Sequence, residues 1–529
     1  MTVDELILAI DQGTGSSKAL LVDRRGEIVA KGSSALTETH PRPGWVEQSL
    51  NDIWGSVQNA VSAALAGIDP ARVAAVGLST QRESLVLWDR RTGEPLGPLV
   101  SWQDQRTAAD CQQLLDAGAG EGVRRISGLP LDPMFSATKA RWLLDHADPD
   151  RTRSRRGELC LGTVDSWLLS RFGENHLIEI GNASRTQLLN VRERNWDPEL
   201  LELFNVPLGV LPTVVPSTGP FPAVGAQLPG LLPGTPIAAV LGDSHAALFA
   251  HAAWRPGTVK ATYGTGSSVM GLCDPNIEVG DGLCLTVAWQ DSEPSYAVEG
   301  NIRSSGSTLV WLANLVGSTP NALAELAATA DSDGVHLVPG FNGLGAPWWD
   351  RTATGLIDGL KLGTALPNLA RAALESIVFQ VEDVVAAVDH AVAPVRVLLA
   401  DGGASANPVL MQLQADISGR KVERALAGDL SPLGAAHLAG RSIGLWSHDE
   451  LEAFDRPRRA FKPSCDPDSA HSAQNAWHIA LARARQQPAV ITAASQGLQG
   501  VGHEAAGHAA DPQDPFLSRP SGNQQKVKA

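Results

Sequence analysis

The chain has 529 residues, 43% hydrophobic and 19% charged, with a formal net charge of −15. That length exceeds the size at which one core keeps growing, so two large domains of a soluble globular protein are expected. The acidic balance excludes general nucleic-acid binding, which needs a basic surplus, but leaves room for a phosphorylated small ligand held by local positive groups.

In chain order, the acidic start Met1-Thr-Val-Asp-Glu5 runs straight into a strand expected at Leu6–Ile10, and no signal peptide is expected. The strand meets Asp11-Gln-Gly-Thr-Gly-Ser-Ser-Lys18, then a second apolar run, Ala19–Val22, and the turn Asp23-Arg-Arg-Gly26. This reads as a β-hairpin. It is neither a P-loop, whose Gly-x4-Gly-Lys spacing is absent, nor a Gly-x-Gly-x-x-Gly turn opening a helix. Further strands are expected at Ile28–Lys31 and Val73–Ser79, and helices at Leu50–Ala66, Thr107–Ala117 and Ser136–His146. The Pro- and Gly-rich stretch Gly209–Pro236 reads as a connection. A strand at Ile237–Leu241 then leads through Gly242-Asp-Ser-His245 into a helix expected over Ala246–Ala253.

Near Val259 the pattern restarts. The run Val259–Tyr263 precedes a second Gly-Thr-Gly-Ser-Ser, at Gly264–Ser268. Helices are expected at Ser307–Val316, Leu366–Val392 and Asn407–Ser418. The strand Val395–Ala400 ends at Asp401-Gly-Gly-Ala-Ser-Ala-Asn407, a Gly-rich turn opening a helix and suited to an anion or nucleotide. From Gln486 to Ala529 the composition cannot bury a core, and a disordered tail without catalytic role is expected; His503 and His508 there read as solvated. The five cysteines lack Cys-x-x-Cys spacing, so no disulfide framework or zinc site is expected and a reducing cytoplasm is the natural compartment. No apolar run reaches transmembrane length.

Two Gly-Thr-Gly-Ser-Ser turns half a chain apart suggest two similar domains closing on one polyphosphate. Glycine permits sharp turns and close approach, and hydroxyls and backbone N–H groups there suit phosphate oxygens. Asp11, at the strand end beside the first turn, suggests water-mediated Mg²⁺. The layout is that of a nucleotide-driven phosphotransferase or ATPase; a Gly-rich surface hairpin is the plain alternative for either copy alone.

From Leu6 to Arg483 the chain resembles the FGGY carbohydrate kinase family, in its glycerol kinase branch. The resemblance is carried by Asp11–Lys18, Pro43-Gly-Trp-Val-Glu47, Gln81-Arg-Glu83, Ser101-Trp102, Gly162-Thr-Val-Asp-Ser-Trp167 and Asn182-Ala-Ser-Arg-Thr186. In the second half it is carried by Tyr263-Gly-Thr-Gly266, Gly343-Leu-Gly-Ala-Pro-Trp348, Leu374-Glu-Ser-Ile377 and Asp401-Gly-Gly-Ala404 with Asn407. It implies an α/β fold of two ribonuclease-H-like, actin-like ATPase domains, residues 1–250 and 251–485, with an interdomain cleft. ATP would lie mostly on the second domain and the polyol on the first.

The resemblance makes Asp243 the expected catalytic base, also facing Mg²⁺ with Asp11; its alternative is a helix N-cap. Arg82 and Glu83 would hold adjacent hydroxyls of the polyol and Trp102 would wall its carbons. Thr14, Gly15, Ser16, Lys18, Thr265, Gly306, Gly403 and Asn407 would contact the nucleotide, and Val310 stands where the family has a glutamine. Three polyol-side positions depart from the glycerol kinase pattern: Met134 replaces a tyrosine, Ser244 a glutamine and Ser268 an aromatic residue. All three predict a wider or re-wired pocket, taking a longer polyol or a ketose as well as, or instead of, glycerol. The stretch Phe221–Gly230 lacks Lys and Arg, so regulation by a sugar bisphosphate is not expected. The expected activity is ATP-dependent phosphorylation of a primary hydroxyl of glycerol or a related polyol by a cytoplasmic homo-oligomer, a dimer or tetramer, without nucleic-acid or membrane partners. A ketose kinase is the nearer alternative. An actin-like ATPase would leave Arg82, Glu83 and Trp102 without a role, and Asp243 speaks against a sugar sensor without turnover.

Overall fold

The computed structural model describes residues 5–173, 175–280 and 282–485. The tail expected over residues 486–529, with His503 and His508, lies outside the described residues.

Two mixed sheets organise the chain, and each begins with the same motif. In the first, β1 (Leu6–Gln12), β2 (Ser16–Val22) and β3 (Ile28–Ala35) form an antiparallel meander. Every residue of β1 is buried, as expected of a central strand covered on both faces. Helix α1 (Leu50–Ala64), capped by the Ser49 hydroxyl on the Asp52 amide, packs across β2 and β3. Then β4 (Val73–Thr80) joins β1 in parallel, and β5 (Ile237–Gly242) joins β4 in parallel, giving the order β5-β4-β1-β2-β3. Three strands between β4 and β5, including Leu85–Asp89 and Leu159–Thr163, join the earlier Glu47–Gln48 in a small four-stranded sheet covered by the helix Ser136–Ala147.

Helix α2 (Asp243–Ala250) leaves the end of β5 directly. It starts three residues earlier than the sequence reading, so Gly242 occupies the N-cap and Asp243 the first helical position. Asp243 therefore does not cap the helix; its carboxylate accepts the Ser244 amide, at 2.6 Å.

The second sheet repeats the opening. Strands β6 (Thr258–Tyr263) and β7 (Ser267–Cys273) make the second Gly-Thr-Gly hairpin, and β8 (Cys284–Gln290) and β9 (Pro294–Ile302) extend it antiparallel. Helix α3 (Gly306–Val316) follows β9, and α4 (Leu366–Ala391) is buried along much of its length. Strand β10 (Val397–Asp401) joins β6 in parallel, as β4 joins β1. Helix α5 (Pro408–Ser418), β11 (Lys421–Ala425), α6 (Leu430–Ser442) and β12 (Arg458–Phe461) complete the order β8-β9-β7-β6-β10-β11-β12.

Helix α6 joins the halves. It packs on α2 and on β1, β4 and β5 of the first sheet. The fit depends on Gly434, where an added Cβ would lie 1.8 Å from the Ala246 carbonyl oxygen of α2. Among the described residues no helix is long and apolar enough to cross a membrane.

Candidate active site

Both Gly-Thr-Gly turns lie at the same place in their sheets, and the neighbouring side chains correspond. In the first sheet Asp11 pairs in register with Lys18 across the hairpin and with Ser79 on the parallel strand. In the second, Thr262 pairs with Ser268 and with Asp401. The second turn is sewn to the start of α3: the Gly306 amide donates to the Gly264 carbonyl at 2.9 Å, and the Ser305 and Ser307 amides donate to Thr265.

A cavity of about 300 Å³ opens between the sheets. All seven polyol-side residues anticipated from sequence line it: Arg82, Glu83, Trp102, Met134, Asp243, Ser244 and Ser268. Thr14 and Thr265, anticipated for the nucleotide, reach the same cavity from the two hairpins. Trp102 is fixed by its indole N–H, which donates to the Thr14 hydroxyl at 3.0 Å. A second cavity, of about 180 Å³, is lined by Asp401, Gly402, Gly428, Leu430 and Ser431, and again by Asp243, Ser244 and Thr262. Asp243 thus stands between the two. A larger depression, of about 520 Å³ beside α5, gathers none of the anticipated residues and lies open to solvent.

The floor of the main cavity is a buried lattice of carboxylates and guanidiniums. Glu299 of β9 accepts both terminal nitrogens of Arg82, at 2.9 and 2.7 Å. It also forms an ion pair with Arg185, at 2.9 Å, and accepts the Ser268 hydroxyl, at 2.8 Å. Arg185 in turn holds Glu83 at 2.6 Å and the Asn301 side chain at 3.1 Å. Glu83 has φ of 62°, rare for a residue with a side chain, and its carbonyl is held by the Ser136 hydroxyl. Such bidentate, charge-assisted pairs fix orientation tightly. The remaining side-chain nitrogen of Arg82, Nε, lies 3.2 Å from the Asp243 carboxylate, whose side chain stays 38% exposed. Gly242 is required here, because a Cβ would lie 2.6 Å from Arg82 Cδ. Removal from bulk water raises the Asp243 carboxyl above the ordinary range, and Arg82 opposes that rise. The two arginines hold the Glu299 carboxylate well below its usual range against the effect of burial.

Asp11 lies behind the first turn, buried, accepting the Ser79 hydroxyl at 2.8 Å. Burial pushes its carboxyl up to about 7, and the nearby Asp243 charge adds to that rise. Two carboxylates that disfavour each other's charge fit a divalent cation, and Mg²⁺ commonly takes one or two carboxylates with waters and phosphates completing its shell. Among the described residues no group of three or more His, Cys, Asp or Glu is arranged to hold a metal by itself.

The other nucleotide candidates line neither cavity. Lys18 pairs with Asp429, just before α6, at 2.9 Å. Asn407 caps α5 through the Val409 and Leu410 amides, Gly403 opens the short turn Gly403–Ala406, and Val310 is 47% exposed on α3. Gly15 belongs to the first turn and Ser16 opens β2, both near the cavity's Thr14. Sequence reasoning missed Glu299, Arg185, Asn301 and Arg303. Only Arg185 left a signal, as the arginine of Asn182-Ala-Ser-Arg-Thr186.

Comparison with known proteins agrees with this geometry. Residues 6–250 match the N-terminal domain, and residues 259–443 the C-terminal domain, of the FGGY family of carbohydrate kinases. The chain is 42% identical to an apulose kinase of Pectobacterium atrosepticum, over 91% of this chain and 99% of that protein. It is likewise 42% identical to a glycerol kinase of a Geobacter species, over 89% and 97%. Among solved structures, Plasmodium falciparum glycerol kinase with ADP superposes with a TM-score of 0.83 at 27% identity, covering 92% of this chain and 99% of that one. A ligand-bound xylulose kinase from Lactobacillus acidophilus shares the fold, with a TM-score of 0.81 at 22% identity over 90% and 97% of the two chains. The chain is a carbohydrate kinase of the two-domain, actin-like ATPase fold, and it belongs to the FGGY family.

Proposed function

We propose that this kinase transfers the γ-phosphoryl group of ATP to a primary hydroxyl of glycerol or a related small polyol. The observation that carries the reading is the position of Asp243, which lines both the main cavity and the adjoining one. The acceptor would occupy the first cavity beside Arg82 and Glu83, and the phosphates would reach Asp243 from the adjoining cavity and along the Thr14 and Thr265 turns, which line the first. Arg82 and Glu83, locked by Glu299 and Arg185, would hold neighbouring hydroxyls. Asp243 takes the proton as the acceptor oxygen bonds to phosphorus and the bond to the β,γ-bridging oxygen breaks, releasing ADP. The two hairpin turns would direct their N–H groups and hydroxyls at the phosphates. Asp11 and Asp243 would hold Mg²⁺, which when bound neutralises phosphate charge. The domain division at residues 250 and 251, and a cytoplasmic homo-oligomer, belong to the same proposal.

A ketose or longer polyol is the second reading. Two observations favour it: the small Ser268 side chain that lines the cavity has its hydroxyl tied to Glu299, and a relative 42% identical is an apulose kinase. Following ADP release with glycerol, erythritol, threitol, ribitol, xylitol, ribulose and xylulose tests both. Absence of turnover with every acceptor would refute the kinase assignment of this cavity; exclusive, efficient glycerol turnover would refute the second reading.

A further inference from the structure

The main cavity has a wall that neither the sequence motifs nor the proposed chemistry uses. Strand β9 and the residue after it present Asn301 and Arg303 into the cavity. Neither touches the adjoining cavity that Asp243 shares. Asn301 is half used: its oxygen accepts from Arg185 at 3.1 Å and its amide donates to Glu299 at 3.0 Å. One amide hydrogen and one oxygen lone pair remain. Arg303 donates to the Asn342 carbonyl at 2.7 Å and to the Asp132 carboxylate, and its side chain is only 15% exposed. A guanidinium has five N–H groups, so donors remain for an oxygen of the ligand.

Asp132 ties this wall to Met134, which lines the same cavity. Its other oxygen accepts the Met134 amide at 2.9 Å, so one buried carboxylate holds both Arg303 and the Met134 backbone. A small triol reading Arg82 and Glu83 has no atoms to spare for this wall. Part of the volume of about 300 Å³ would belong to the phosphates, because Thr14, Gly264 and Thr265 of the two turns line it too.

Resting on the reading of this cavity as the acceptor site, we propose that Asn301 and Arg303 are specificity-determining residues that bind the distal oxygens of a five-carbon acceptor. Arg303, a donor only, selects a carbonyl or hydroxyl oxygen; Asn301 accepts and donates. The shared chemistry is a chain carrying oxygens beyond the third carbon, and alditols and ketoses are compared as separate arms of the test.

The test measures kcat/KM of the full chain with ATP and Mg²⁺ for glycerol, ribitol, xylitol, ribulose and xylulose. Wild type is expected to favour at least one five-carbon acceptor over glycerol by tenfold or more. The ratio of that acceptor to glycerol is expected to fall at least tenfold in Asn301→Ala, mainly through KM, since a site built to hydrogen-bond a hydroxyl discriminates strongly. Because Arg303→Met alone would strand Asp132 buried and unpaired, Arg303→Met is combined with Asp132→Asn, and the same fall is expected. A preference for glycerol in wild type, or a smaller fall in both variants, would overturn the inference while leaving the kinase reading standing. Failure to phosphorylate any acceptor would overturn both.

Discussion

The Asp11 carboxyl offers the sharpest quantitative test, because its effect on the nucleotide-free protein opposes its effect on the working one. Held at about 7 instead of the ordinary 3.8, it binds a proton in the folded chain over a range where the unfolded chain has already lost it. The folded value is the raised one, so this group's contribution to stability declines as pH rises from about 4 to 7. At ~1.4 kcal/mol per factor of ten, the raised Asp11 carboxyl costs the folded protein about 4 kcal/mol at pH 8, where it is ionised, and about 2 kcal/mol at pH 5, where it keeps a proton the unfolded chain has released. Asp11→Asn removes the charge, and the asparagine oxygen can still accept the Ser79 hydroxyl. Without Mg²⁺ the variant should therefore unfold at a higher temperature than wild type at pH 8, with the advantage roughly halved at pH 5. With Mg²⁺ and ADP the order should reverse, since only wild type gains the stabilisation of a bound cation. The assay is thermal unfolding by circular dichroism at both pH values, with and without Mg²⁺ and ADP. An Asn variant less stable than wild type at pH 8 without metal, or one stabilised equally by Mg²⁺ and ADP, would refute the reasoning.

Four other outcomes are expected. Asp243→Asn should lower kcat by about two orders of magnitude or more while acceptor and ATP binding, measured by calorimetry, persist; near-normal kcat would remove Asp243 as base. Arg185→Met should strand the buried carboxylate of Glu83, remove one of the two arginines holding Glu299, and cost about 3–5 kcal/mol in denaturant unfolding, whereas a loss under 1 kcal/mol would mean the lattice re-pairs without it. Gly434→Ala should destabilise by about 1–3 kcal/mol through overpacking of α6 on α2, visible as a lowered midpoint. Fructose 1,6-bisphosphate should leave initial rates unchanged, because Phe221–Gly230 carries no Lys or Arg; clear inhibition would contradict this.

Local pattern made the hairpins legible. The twin glycine hairpins expected from sequence form as β1–β2 and β6–β7, apolar runs flanking tight turns; the close approach is at Gly266, where a Cβ would lie 2.4 Å from the Ile302 carbonyl oxygen. The start of α2 was misplaced by three residues, since Gly242 resembles a strand end and its helix-capping geometry follows from β5. The polyol-side residues were found through motifs and converge on one cavity. Glu299 and Asn301 were invisible for a physical reason. Their partners lie far away in sequence, 217 residues from Glu299 to Arg82 and 116 from Asn301 to Arg185. No local periodicity encodes such a meeting. Arg303 was missed likewise, its ion-pair partner Asp132 being 171 residues away. The corresponding contact of α6 with the first sheet also arises only when both halves are folded.

The placement of Glu299 has a consequence for when the protein can recognise anything. Arg82 and Glu83 belong to the first half of the chain, but the carboxylate that aims Arg82 is delivered by the second. Parting the halves would unfasten both terminal nitrogens of Arg82 and free Arg185 from one of its two acidic holders. Molecular discrimination would then exist only in the shut form, and an agape protein would grip sugars loosely and without preference.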